Sequence, residues 1–118
     1  MPKVDIWSRL TPQSQAAVEK SREQYAAFKT QSTDALGVMR EGYNHERQYW
    51  NSFHIDLPAV QDIMLDAPGG PIAMRLYKPG TEGPMPVLLY AHGGGYILGN
   101  LDTHDRICRL IALKSGWA

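Results

Sequence analysis

The stretch from Val87 to Ile107, VLLYAHGGGYILGNLDTHDRI, sets three consecutive glycines directly after an apolar run. Glycines so placed suit three kinds of chemistry: cradling a dinucleotide, cradling a triphosphate, or holding a developing oxyanion. A dinucleotide loop needs G-x-G-x-x-G. Counted from Gly93, Gly95 fits, but the last position is Leu98, and Gly99 comes one residue late. The acidic ribose ligand expected about twenty residues on is absent, since position 113 is leucine. A triphosphate loop needs G-x-x-x-x-G-K-[ST]. Gly94 and Gly99 match, but Asn100 and Leu101 replace the lysine and hydroxyl that reach phosphate and magnesium. Both phosphate readings fail at the residues that carry their chemistry.

The oxyanion reading fits. Attack on an ester carbonyl puts negative charge on one oxygen, and fixed N–H donors converging on it give the strongest help. Consecutive glycines let the backbone turn its amides inward and leave no side chains in the way of a substrate. The amides of Gly93, Gly94 and Gly95 are therefore the candidate donors, and His92 is read as the residue that orients the loop. Asp102, His104 and Asp105 offer three possible metal ligands within four residues. At the start of a helix such groups read as caps rather than as a metal site. Cys108 sits beside Ile107 on the apolar side of that helix, where a buried structural thiol is expected rather than a nucleophile.

The elements that position this loop follow from periodicity. Residues 1–58 read as helical, with Thr11-Pro12 as N-cap and first helical position. Leu36, Met39, Tyr43, Trp50 and Phe53 fall on one side at helical spacing. Gly37 and Gly42 weaken a single helix there, so one helix and two shorter ones broken near Gly42 are equally expected. The aromatic stripe is either core packing, which its pattern favours, or a lid over a pocket. Pro58, within DLPAV at 56–60, ends the helical region. VQDIMLDAP and PIAMRLYKP, joined by PGG at 68–70, read as a β-hairpin. After the breaker-rich loop GTEGPMP at 80–86, VLLYA is uninterruptedly apolar and predicts a parallel-type strand buried on both faces. A helix over residues 103–115 follows, opened by Asp102 and stopped by Gly116. Helices, hairpin, strand, loop and helix form the opening of an α/β domain. The division is 1–58 as an N-terminal helical segment and 59–118 as the start of the core.

Composition excludes several classes. Lys plus Arg and Asp plus Glu are equal at 12 each, so no basic field suits nucleic acid or an anionic membrane. One cysteine excludes an internal disulfide framework and a multi-cysteine zinc site. The N-terminus lacks a continuous apolar stretch of signal-peptide type, and the longest apolar run, Val87–Ala91, is too short to span a bilayer. A cytoplasmic protein is expected.

The run HGGGYILGNLDTHDRI, within residues 88–118, resembles the hormone-sensitive-lipase family of α/β-hydrolases, and in particular bacterial acetyl esterases. YNHERQYWN at 43–51 is similar to the cap segment of those enzymes, though less specifically. The resemblance implies a Ser–Asp–His hydrolase of short acyl esters working without a cofactor. It implies that the N-terminal helices, with Tyr43 and Trp50, belong to a cap over the acyl pocket. It also implies that His92 holds the loop while Gly93, Gly94 and Gly95 supply oxyanion donors. The nucleophile elbow G-x-S-x-G has no match: Ser8, Ser14, Ser21, Ser32, Ser52 and Ser115 all lie in other frames. The expectation is an N-terminal portion of such an esterase, with nucleophile, acid and base on residues outside this sequence. Alone it should be inactive and prone to associate, including as a homo-oligomer, through its exposed strand edge. The alternative is a non-catalytic module that binds a ligand or protein through its helices.

Overall fold

The computed structural model describes residues 5–80 and 82–118. Readings that fall on residues 1–4, and on Thr81 in the loop 80–86, lie outside the described residues. The chain divides into two compact units, Met1–Glu46 and Arg47–Ala118.

In the first unit, helix α1 covers Pro12–Ala27. Its start follows the sequence signal: the Thr11 hydroxyl accepts from the Ser14 N–H at 3.2 Å, and proline occupies the first helical position, where no N–H is needed. Helix α2 covers Ala35–Asn51 without a break. Gly42 does not interrupt it, because its missing side chain makes room for a neighbour. A Cβ there would lie 3.1 Å from Tyr25 Cε1. The packed side of α2 in this unit runs through Gly42, His45 and Glu46 rather than the apolar stripe. The His45 ring lies 5.3 Å from that of Phe28. Glu46 is only 2% exposed and accepts from the Ser21 hydroxyl at 2.6 Å. Leu36 and Met39, by contrast, are 40% and 52% exposed. Between the helices, Glu41 gathers the connecting loop, accepting from the Ser32 and Thr30 hydroxyls and the Gln31 N–H. Those bonds, Ser32's first, hold its carboxyl below the usual carboxylate range.

The second unit is built on an antiparallel hairpin, β1 over Ala59–Leu65 and β2 over Ile72–Lys78. Its turn is closed by the Gly70 N–H donating to the Ala67 carbonyl at 2.9 Å, with Gly70 at φ 114. The register sets Asp62 directly across from Arg75. Helix α3, Asp105–Ser115, follows a single tight turn at Asp102–His104 and stops at Gly116, which is left-handed with φ 73. Asp102 does not cap α3. The helix-start donors are met from elsewhere: Asn51, the last residue of α2, accepts from the Arg106 N–H at 2.8 Å and donates to the Thr103 carbonyl at 3.2 Å. Arg106 and Arg109 add bonds to the Phe53 and Ile55 carbonyls, each at 3.2 Å. Removing Asn51 Oδ1 strands a partly buried donor. Asn51→Ala is expected to lower unfolding free energy by about 1–3 kcal/mol, measured by chemical denaturation against the parent chain.

The run 87–91 departs from expectation both in forming no strand and in being exposed. The Leu88 N–H donates to the Ala118 carbonyl at 2.7 Å, and the Ala118 N–H to the Pro86 carbonyl at 3.0 Å. One residue bonding to two residues that flank a third is the parallel pattern. A single such bridge makes no strand, and Val87 and Leu89 are 71% and 81% exposed. The reason is the lack of a continuous ladder or a covering layer on either face among the described residues. The fold is a partial α/β-hydrolase fold: helices, an antiparallel hairpin, and the approach to the first parallel strand pair. Among the described residues, no helix is long and apolar enough to cross a membrane.

Candidate oxyanion site

The glycine loop leaves the 87–91 segment at His92 and turns back on itself over Gly94–Leu98. The N–H groups of Ile97 and Leu98 both donate to the Gly94 carbonyl, at 3.2 and 2.9 Å. This turn needs φ 135 at Gly94, φ 61 at Gly95 and φ 60 at Tyr96. A side chain at Gly94 would also run into the Leu98 carbonyl. Glycine is therefore obligatory there on two counts, conformation and space. Among the described residues, none accepts a hydrogen bond from the amides of Gly93, Gly94 or Gly95. Gly93 and Gly95 are exposed and Gly94 half-buried, so these amides face solvent. Three in a row form a donor set available to an external acceptor.

His92 lies against this loop. Its Nδ1 donates to the Gly93 carbonyl at 2.8 Å, and its ring stacks on His104 with centroids 4.9 Å apart and planes 21° from parallel. Gly99 closes on the same imidazole, since a Cβ there would stand 2.9 Å from His92 Nδ1. Beyond the loop, Asn100 and Thr103 bond reciprocally. The Asn100 N–H donates to Thr103 Oγ1 at 2.8 Å and the Thr103 N–H to Asn100 Oδ1 at 2.9 Å. This pairing starts the turn in the manner of a capping box. It takes the role that the sequence had given to Asp102 and Asp105.

Those two carboxylates instead fasten the loop's far end to the hairpin. Arg75 holds Asp62 through two bonds, Nε to Oδ1 at 2.6 Å and Nη2 to Oδ2 at 3.0 Å. Its Nη1 reaches Asp102 at 2.9 Å and Asp105 at 3.1 Å. Asp105 also accepts from Arg109 Nε at 2.6 Å and from the Tyr77 hydroxyl at 3.0 Å. The Arg75 and Asp105 side chains are 16% and 21% exposed. Burial raises the Asp105 carboxyl, yet its bonds to Arg109, Tyr77 and Arg75 prevail and hold it below the usual range. Burial and then the Asp105 bond push the Tyr77 phenol up. Asp102, His104 and Asp105 are thus not gathered round one point. Asp102 and Asp105 turn to Arg75 while His104 turns to His92.

An apolar cavity of about 1150 Å³ runs between the hairpin, the 87–93 segment and α3. Gly93 and Gly95 stand on its wall, as do Met74, Leu88, Tyr90 and Cys108. Cys108 is half-buried there, and burial, with the Asp105 charge second, pushes its thiol up. A protonated thiol is a poor nucleophile, in keeping with a packing role. Trp50 and Phe53, from the predicted aromatic stripe, meet Tyr49 edge-on at 5.0 and 5.7 Å. Sequence reasoning missed Arg75, Asn51, Asn100 and Thr103. Arg75 alone had a legible signal, an arginine facing an aspartate across a predicted hairpin.

Residues 88–118 match the profile of an α/β hydrolase fold family. Among solved structures, the chain is similar to a hyperthermophilic esterase from the archaeon Pyrobaculum calidifontis, at 34% identity and a TM-score of 0.68. That match covers 72% of this chain and 28% of that one. A monoclinic form of the Pyrobaculum calidifontis esterase aligns over 92% of this chain and 32% of that chain, at 30% identity and a TM-score of 0.74. EstE1, a thermophilic and thermostable carboxylesterase cloned from a metagenomic library, aligns at 28% identity and a TM-score of 0.66. It is matched over 71% of this chain and 29% of its own. The chain therefore spans about a third of the length of these structures.

Proposed function

We propose that these 118 residues are the oxyanion-loop part of a serine-dependent carboxylic ester hydrolase of the hormone-sensitive-lipase type, acting on acetyl and other short acyl esters. The single observation that carries this is the set of three consecutive glycine amides without an acceptor, held in a turn that only glycine at position 94 permits. The esterases to which the chain is similar support the same reaction class. In this account His92 orients the loop, and Gly93, Gly94 and Gly95 donate to the carbonyl oxygen as it gains charge. Residues 1–58 are read as cap sequence, on the resemblance of Tyr43–Asn51 to the cap segment of such enzymes. The nucleophile, acid and base lie on residues beyond these, because no G-x-S-x-G occurs among them. The enzyme needs no cofactor, and its setting is cytoplasmic.

The donors matter because the charge they meet exists mainly in the transition state, so they raise kcat more than they lower KM. The substrate class is tested with a polypeptide that carries both this loop and the serine elbow, assayed on chromogenic esters of increasing acyl length. Highest kcat/KM on acetate or butyrate, abolished when the elbow serine becomes alanine, is the expected outcome. A preference for long acyl chains would remove the short-acyl assignment, and activity surviving the serine change would remove the mechanism.

A further inference from the structure

We propose that His104 is a positioning residue for the glycine loop, its imidazole serving as the floor on which His92 is stacked and, through His92, fixing Gly93. For its catalytic consequence this rests on the oxyanion reading above, while the packing it asserts can be tested without any ester. His92, itself exposed, is touched on three sides: Gly99 approaches Nδ1 and Cε1 closely enough that a Cβ would stand 2.9 and 3.0 Å away. The Gly93 carbonyl takes the Nδ1 proton at 2.8 Å, and the His104 ring covers one face at 4.9 Å. His104 is itself immobilised. Thr103, 7% exposed, spends its hydroxyl proton on the Asn100 carbonyl at 2.9 Å, so His104 Nδ1, 3.0 Å from that oxygen, must donate to it. The Thr103 carbonyl is in turn held by Asn51. A continuous line of contacts thus runs from the end of α2 through Thr103, His104 and His92 to the first glycine.

The stack holds only while the rings are not both cationic. The groups facing His104 are His92, the Tyr90 ring at 6.4 Å and Arg47, none of them acidic. The nearby carboxylates of Asp102 and Asp105 are engaged by Arg75. Burial first, then the His92 charge, keeps His104 below the usual imidazole value. A folded-state value below the unfolded one binds fewer protons in the native state. The contribution is therefore complete above the ordinary imidazole range and is lost as pH falls through it.

Hydrogen exchange at imidazole Cε1–H, followed by mass spectrometry, reads each of the four histidines separately and tolerates association of the chain. In the 118-residue chain at mildly alkaline pH, His104→Ala should speed exchange at His92 several-fold, and His104→Phe, which keeps a flat ring, should restore it. His54, whose side chain is 67% exposed, should be unchanged in both. His92→Ala should in turn speed exchange at His104, by uncovering the ring face on which the two imidazoles stack. Unchanged His92 exchange in His104→Ala overturns the proposal, as does His104→Phe matching His104→Ala. Should His104→Ala not fold, unchanged His104 exchange in His92→Ala overturns it equally. None of these outcomes depends on turnover, so a failed oxyanion assignment would show separately, in the kinetics.

Discussion

Gly94→Ala, placed in a polypeptide that carries both this loop and the catalytic serine, should lower kcat on an acetyl ester by roughly a hundredfold or more. Gly93→Ala should retain most of the activity. The contrast comes from local geometry. Gly94 has φ 135, and a Cβ would run into the Leu98 carbonyl, so the turn must open to admit one. Opening it withdraws at least one amide, and a single lost oxyanion donor costs about 2.7–4 kcal/mol of transition-state stabilisation. Gly93 has no positive φ and nothing within 4 Å of the Cβ position, so its amide can stay aimed. KM should move less than kcat in Gly94→Ala, because the ground-state carbonyl carries little charge. Steady-state kinetics on both variants checks it, with equal loss in the two as the unfavourable result.

Arg75→Met should be the most destabilising single change in the second unit. It leaves the Asp105 carboxylate, 21% exposed, with one guanidinium instead of two, and it frees Asp62 and Asp102 from the hairpin link. Breaking a buried pair from one side costs about 3–5 kcal/mol. Asp62 and Asp102 are largely exposed and their pairs add little, so the lower end of that range applies. The pH dependence has a defined sign. Because Asp105 sits below the usual carboxylate range in the folded state, its contribution is present above that range and is lost as pH falls through the folded value. In Arg75→Met the acid-side loss of stability should be smaller and should be complete at a higher pH, nearer the ordinary carboxylate value. Denaturant titrations across acid pH, in parent and variant, read both effects.

How much of this was visible in the sequence depended on how local the physics was. Thr11-Pro12, the Pro68–Gly70 turn and Gly116 act within a few residues, and each element boundary they announced is found. The two phosphate readings also failed on local grounds, and the oxyanion pattern stood out for the same reason. Long-range partners were illegible. Nothing around Asn51 says that it will meet an N–H 55 positions away, and Asp102 and Asp105 looked like caps because Arg75 is remote in sequence. The stripe from Leu36 to Phe53 misled in a different way. Helical periodicity identifies apolar positions, but the packed side of α2 in the first unit is set by a glycine that admits Tyr25 and by a buried carboxylate that accepts from Ser21. For 87–91, apolar content predicted a buried strand, yet strand pairing and burial depend on neighbouring strands and helices, which the run itself does not specify, and among the described residues it has only a single bridge to Ala118.

The proposed division of labour has these residues supply the oxyanion donors and a serine elsewhere supply the attack. It is tested most directly by exposing the 118-residue chain to a fluorophosphonate serine-hydrolase probe and a chromogenic acetyl ester. The same assay is then repeated after adding a fragment that carries the serine elbow, the acid and the late histidine. The chain alone should show no labelling and no serine-dependent turnover, since no nucleophile elbow occurs among its residues. Both should appear on mixing, with the label on the added fragment. Robust labelling of the 118-residue chain by itself would place the nucleophile on one of its own serines and contradict the claim.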